Sequence, residues 1–75
     1  MPTAFVLVNT KLGSESDVLR EFKGMEGIEE ALLVYGLYDI ILRVVSNSMD
    51  ELKRTITWKI RKIENVTATQ TVIML

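Results

Sequence analysis

The sequence predicts an α+β domain in which a four-stranded antiparallel sheet carries two helices on one face, in the order β-α-β-β-α-β. Three observations lead there. Four runs rich in β-branched and large apolar residues lie at 4–9, 28–35, 39–45 and 66–75. Two of the intervening stretches repeat apolar residues at helical spacing, each behind a serine that suits a helix start. A chain of 75 residues, 48% hydrophobic and 25% charged, makes one small domain and leaves no room for a second.

Each element has its own justification. Ala4-Phe5-Val6-Leu7-Val8-Asn9 is apolar on both strand faces, with Phe5 and Leu7 pointing one way and Ala4, Val6 and Val8 the other. Ser14 with Asp17 resembles a capping box, and Val18, Leu19, Phe22 and Met25 then follow at helical spacing, so the first helix runs from about Glu15 to Lys23. Gly24 and Gly27 suit its C-terminal cap and the left-handed turn into the next strand. Residues 28–35 and 39–45 are two strands joined through Gly36-Leu37-Tyr38, short enough for a hairpin. Ser48 with Glu51 forms a second capping box. Behind it Met49, Leu52, Ile56, Ile60 and Ile63 fall within a stripe about 80° wide at 100° per residue, which predicts one helix from about Met49 to Ile63. Asn65 caps it, and residues 66–75 form the last strand. This order is the split βαβ arrangement of ferredoxin-like folds.

Composition excludes several functions. Without cysteine there is neither a disulfide framework nor a zinc-thiolate site, and without histidine the commonest general base and metal ligand is missing. No cofactor is expected. Nine basic residues against ten acidic ones, net charge −1, give no overall attraction for phosphates, so no direct nucleic-acid partner is expected. No apolar run reaches the roughly 18–20 residues of a membrane span, and the start lacks the basic region of a signal peptide. We read a cytoplasmic chain with no membrane partner.

A domain this short buries only about 60% of its unfolded surface, and self-association is the remaining common device once metal and disulfides are excluded. The strands say where. Two helices cover one sheet face, yet the first and third strands are apolar on both, with Ile40, Leu42 and Val44 opposing Ile41 and Val45 around Arg43. A second copy packed sheet to sheet would cover the other face, and Leu42 and Val44 are the candidate contacts on the third strand. Trp58 lies opposite the Leu52-Ile56-Ile60 seam and is a candidate subunit or partner contact. Lys53, Arg54, Lys59, Arg61 and Lys62 give the second helix a basic face, read first as a solvated surface because Asp50, Glu51 and Glu64 dilute it.

No catalytic constellation emerges, so the chain is not expected to be an enzyme. Ser14, Asp17, Ser48, Asp50 and Glu51 read as caps and dipole partners. Tyr35-Gly36-Leu37-Tyr38-Asp39 concentrates two tyrosines, a glycine and an acid. Gly36 allows backbone N–H groups to turn toward a carboxylate, and Asp39 offers an acceptor to an ammonium group, a pairing that clasps a zwitterion. The alternative is a turn made by Gly36 and capped by Asp39. Thr67, Thr69 and Thr71 alternate onto one face of the last strand, through β-propensity or as the lining of a polar pocket.

Taken together, these residues resemble a known family. Val34-x-Gly36-x-Tyr38-Asp39 followed by Ile40-Ile41-Leu42-x-Val44, then Val66-x-x-Thr69-x-Thr71 running to Met74-Leu75, is similar to the effector domain of leucine-responsive/asparagine-regulator (Lrp/AsnC) transcription factors, the RAM domain. The resemblance spans residues 1–75 as one domain, from Ala4-Phe5-Val6-Leu7-Val8 through Gly27-Ile28 and onward. It implies a βαββαβ unit that dimerises through its sheets, assembles further to octamers, and binds amino-acid effectors between dimers. It also implies that Gly36, Leu37, Tyr38 and Asp39, with Thr69, Gln70 and Thr71, surround the ligand. Asn65 stands where the family has a glycine, and both tolerate left-handed backbone. The family's N-terminal helix-turn-helix has no counterpart here, so the resemblance is to a stand-alone RAM protein. It implies an oligomeric amino-acid-binding module in transcriptional or metabolic regulation, with a full-length Lrp/AsnC-type regulator as a further partner. Two other readings stay open: a structural assembly or protein-interaction module without a ligand, and a small dimeric α+β barrel enzyme.

Overall fold

The computed structural model describes residues 1–75. The elements are β1 (Thr3–Thr10), α1 (Glu15–Lys23), β2 (Ile28–Leu33), β3 (Ile40–Val45), α2 (Met49–Arg54) continued by a π-helical segment (Thr55–Ile60), and β4 (Val66–Met74). The strands form one antiparallel sheet in the order β2-β3-β1-β4, so the expected βαββαβ architecture is present. No helix is long and apolar enough to cross a membrane.

Alternation along the strands sorts the two faces. Ala4, Val6 and Val8 of β1, Ala31 of β2 and Ile40, Leu42 and Val44 of β3 lie in the core with Val18 and Phe22 of α1 and Leu52, Ile56 and Ile60 of the second helical stretch. Leu42 and Val44 are therefore not subunit contacts: both are completely buried under the chain's own helices, in register with Val6 and Ala4. Their alternating neighbours Ile41 and Val45 share the opposite face with Phe5 and Leu7 and are only partly buried. On that open face the cross-strand rows are Glu30-Arg43-Phe5-Val72 and Leu32-Ile41-Leu7-Gln70.

The second helix departs from one continuous α-helix. Beyond Arg54 the backbone widens into a π-helix, closed by the Arg61 N–H donating to the carbonyl of Ile56, five residues back, at 3.3 Å. Leu52, Ile56 and Ile60 are spaced by four residues, which drifts about 40° per step on an ideal α-helix; a wider turn keeps all three aimed at the sheet. Ser48 caps this helix as expected, its Oγ accepting from the Glu51 N–H at 3.2 Å. Ser14 does not cap α1. Its hydroxyl donates to the Lys11 carbonyl instead, and the Glu15 carboxylate reaches back to the Gly13 N–H at 2.9 Å. Gly27 (φ 94°) and Asn65 (φ 73°) adopt the expected left-handed backbone, whereas Gly24 remains right-handed. β2 ends at Leu33 rather than residue 35, and β3 starts at Ile40, so the connection is a six-residue loop, 34–39.

Candidate functional site

The 34–39 loop is closed at its base and hung on the central strand. The Val34 N–H donates to the Asp39 carbonyl at 2.9 Å, and the Asp39 N–H donates to the Val8 carbonyl at 2.9 Å. The Asp39 carboxylate completes the anchor: its Oδ2 accepts from the Thr10 N–H at 2.8 Å and from the Thr10 hydroxyl at 3.3 Å. Thr10 has room for this because the β1–β4 register shifts between Asn9 and Thr10.

Above that base the loop is open. Gly36 sits at φ 148°, a conformation that favours glycine, with open space around it. Tyr35 and Leu37 are fully exposed, while Tyr38 is partly buried beside Asp39. The N–H groups of Tyr35, Gly36, Leu37 and Tyr38 have no acceptor within the chain, and neither does Asp39 Oδ1 have a donor. Unpaired amide donors next to a half-free carboxylate match the two ends of a zwitterion, donors for a carboxylate and an acceptor for an ammonium group.

On β4 the candidate residues divide between the faces. Thr69 pairs with Val8 and Thr71 with Val6, so both lie on the helix side, partly buried; Gln70 pairs with Leu7 on the open face. Val8 also pairs with Ile40, which puts Thr69 about two strand spacings, roughly 10 Å, from the start of β3. Asp39 and Thr69 thus lie toward the same end of the sheet with β1 between them. Gln70 and Thr71 are farther along β4 and on opposite faces, so a single chain does not gather all seven candidate residues around one point.

Two features escape the sequence reading. Thr10 is the partner of Asp39, and the only signal for it is the break in apolar alternation after Val8. Arg43 Nε donates to Glu30 Oε1 at 3.1 Å on the open face; its signal is that each residue interrupts an apolar strand. A cleft of about 690 Å³ lies elsewhere, between α1 and residues 62–65. It carries charges of both signs (Asp17, Arg20, Glu21, Lys62, Glu64) and includes none of the candidate residues. Trp58 lies on the π-helical segment, 64% exposed, with Lys62 Nζ 5.4 Å from its ring centroid. No grouping of three or more metal-ligating side chains is present, and no buried side-chain polar atom lacks a partner.

Comparison with known proteins agrees with this architecture. The crystal structure of FFRP-DM1 is similar over 100% of both chains, at 39% sequence identity and a TM-score of 0.96. The structure of E. coli AsnC is similar over 99% of this chain and 50% of that chain, at 25% identity and a TM-score of 0.90. A transcriptional regulator from Neisseria meningitidis, NMB0573, solved as a complex with L-Met, shares the fold over 99% of this chain and 49% of its own, with 14% identity and a TM-score of 0.86. No protein of curated function matches. The sequence pattern described as the Lrp/AsnC ligand binding domain matches residues 3–75, and with the four-stranded sheet and both helices in place across that span, the chain belongs to the Lrp/AsnC ligand-binding domain family of transcriptional regulators.

Proposed function

We propose that this chain is an amino-acid-binding, oligomer-forming module in the regulation of transcription or amino-acid metabolism. The observation that carries the reading is the 34–39 loop, where four unpaired backbone N–H groups lie next to the half-free carboxylate of Asp39. A zwitterion is the ligand class that uses both. Family membership supports it, and the N. meningitidis regulator of the same fold holds L-Met.

The loop does not enclose a ligand on its own. Val34, Tyr35, Gly36 and Leu37 are all exposed, and the chain's large cleft lies elsewhere. A neighbouring subunit completes the site in this reading, so that occupancy favours assembly by the difference in affinity between the assembled and separate states. The assembly begins with a dimer formed through the open sheet face, where Phe5, Leu7, Ile41 and Val45 are apolar and incompletely covered. The same face also fits a full-length Lrp/AsnC-type regulator. Trp58, 64% exposed, favours a second reading in which the chain docks another protein.

A thermal-shift panel of the purified protein against the twenty amino acids tests the first reading, because a ligand that binds only the folded assembly raises its stability by mass action. A selective upward shift, with light scattering showing a matching change in subunit number, is the expected result. A folded oligomer that gives no shift and no calorimetric heat with any amino acid overturns ligand binding and leaves the protein-interaction reading.

A further inference from the structure

Four-residue spacing sorts the second helical stretch into rows. Leu52, Ile56 and Ile60 face the sheet and are buried. Glu51, Thr55 and Lys59 lie to one side, along a hollow shared with Gly27 and Val45. The remaining rows, Lys53-Thr57-Arg61 and Arg54-Trp58-Lys62, point away from the core, and all six residues are exposed. The wide π-helical turn that keeps Leu52, Ile56 and Ile60 in line also keeps Arg54, Trp58 and Lys62 in line on the opposite side.

The result is a surface of one sign around one aromatic ring. Lys53, Arg54, Arg61 and Lys62 stand there without an ion pair, since the chain's salt bridges are Arg20–Asp17 and Arg43–Glu30. Trp58 is 64% exposed, and the Lys62 ammonium lies 5.4 Å from its ring centroid. A tryptophan this open gains from being covered, and the unpaired cations around it select an anionic cover. Acids bound the patch: Asp50 and Glu51 precede it, and Glu64 follows it beside the cleft that holds Asp17 and Glu21. The span from Arg54 to Lys62 is about 12 Å at helical rise, which suits a short segment. A nucleic-acid strand runs past that length onto the acids at either end and meets a chain of net charge −1. A lipid surface needs a broad apolar face, whereas the apolar face of this helix is turned to the sheet and Trp58 is the one large apolar side chain left outside.

We propose that this surface docks an acidic segment of another protein, with an apolar side chain on the Trp58 ring and carboxylates to either side of it, one meeting Arg54 and the other Arg61 and Lys62. The proposal rests on the reading of Trp58 as a protein-docking residue and adds the chemistry of the partner. It also gives the basic face of the second helix a role, because the acids dilute the ends of that face and not its centre.

The probe is a labelled helical peptide with a leucine flanked one turn away on each side by glutamates, and its control has glutamines in their place. Fluorescence anisotropy at low salt gives the dissociation constants, and far-UV circular dichroism verifies that each protein variant folds. The expected result is that the glutamate peptide binds about tenfold or more tightly than the control, and that Trp58→Ser and Arg54→Gln/Lys62→Gln each weaken it by about tenfold. Lys11→Gln/Lys23→Gln, which removes the same charge elsewhere, leaves the affinity within about twofold. If the two peptides bind alike and both are lost with Trp58→Ser, the acidic partner is overturned while protein docking stands. If neither peptide binds, both fall. An equal loss in Lys11→Gln/Lys23→Gln shows general attraction and overturns the site. Oligothymidylate or phosphatidylserine vesicles that bind more tightly than the glutamate peptide, and lose that binding with Arg54→Gln/Lys62→Gln, overturn the proposal in favour of a nucleic-acid or membrane surface.

Discussion

Asp39→Ala separates the two roles of the loop carboxylate. In the folded chain Oδ2 accepts a 2.8 Å bond from the Thr10 N–H and a longer one, 3.3 Å, from the Thr10 hydroxyl. Removing the carboxylate leaves the part-buried N–H without its acceptor, whereas the hydroxyl can turn to water. A hydrogen bond to an ionised group contributes about 1.5–3 kcal/mol, so a loss near 2 kcal/mol is expected. For a chain of 75 residues the unfolding entropy at the midpoint is roughly 0.16 kcal/mol/K, which turns that loss into a fall in Tm of about 12 °C. Differential scanning calorimetry at one fixed protein concentration measures it, since the midpoint of an oligomer depends on concentration. Asp39→Asn retains a neutral acceptor and should lose about half as much. The anchor argument is wrong if Asp39→Ala melts within about 3 °C of wild type. Effector binding is a separate readout: if Asp39 Oδ1 pairs with an ammonium group, affinity falls by about 1.5–3 kcal/mol while the subunit number stays the same.

Other perturbations follow from the division of the sheet into two faces and from the helix ends. Leu42→Ala, in the core, should cost about 2–5 kcal/mol in chemical denaturation, whereas Ile41→Lys, one residue away on the open face, should leave a folded chain that no longer dimerises by sedimentation. Gly27→Ala places a side chain at φ 94° with only ordinary contacts around it, so its cost of about 1–2 kcal/mol in urea titration is almost purely backbone. Ser48→Ala removes the cap on the Glu51 N–H and should lower stability by about 1 kcal/mol, while Ser14→Ala, which removes no cap bond, should cost less in the same assay. Trp58 is the single tryptophan, so its fluorescence reports its own surface: acrylamide quenches it freely in the separate chain, and protection on assembly identifies it as a contact.

Alternation made much of this fold legible. Ala4, Val6 and Val8 against Phe5 and Leu7 is a period of two with both phases apolar, which indicates a central strand with two faces to cover. The same alternation says that Leu42 and Val44 share a face without saying which one meets the helices. Only the pairing of Leu42 with Val6 and Val44 with Ala4 settles it, a contact between residues far apart in sequence. Alternation also separates Gln70 from Thr69 and Thr71, and the family motif alone hides that separation. The π-helical segment is written in the four-residue spacing of Leu52, Ile56 and Ile60, which an α-helix fits almost as well on paper. The Ser14 cap failed for a local reason: the Lys11 carbonyl and the Glu15 carboxylate satisfy the same turn by other means. For Asp39 the sequence offers a turn cap and a ligand acceptor, whereas its Oδ2 instead anchors the loop to Thr10 at the end of β1, a residue far away in sequence, and leaves Oδ1 without a donor.

The strand order has a consequence for how the molecule comes together. β1 is flanked by β3 and β4, and its pairing with β4 joins Thr3 to Met74, positions about seventy residues apart. No stretch of the chain that lacks β4 can satisfy both edges of its central strand. Such sequence-distant closure slows folding and makes it an all-or-none event rather than a progression from one end. Until β4 docks, the strand bearing Phe5 and Leu7 offers other chains both an open edge and an uncovered apolar face, so the crowding of unfinished chains is the main hazard this topology carries. The adjacency of Thr3 and Met74 also makes the order of the strands along the sequence dispensable: a circular permutant that links them by a short turn and opens the chain at the exposed Gly13 retains every pairing of the sheet.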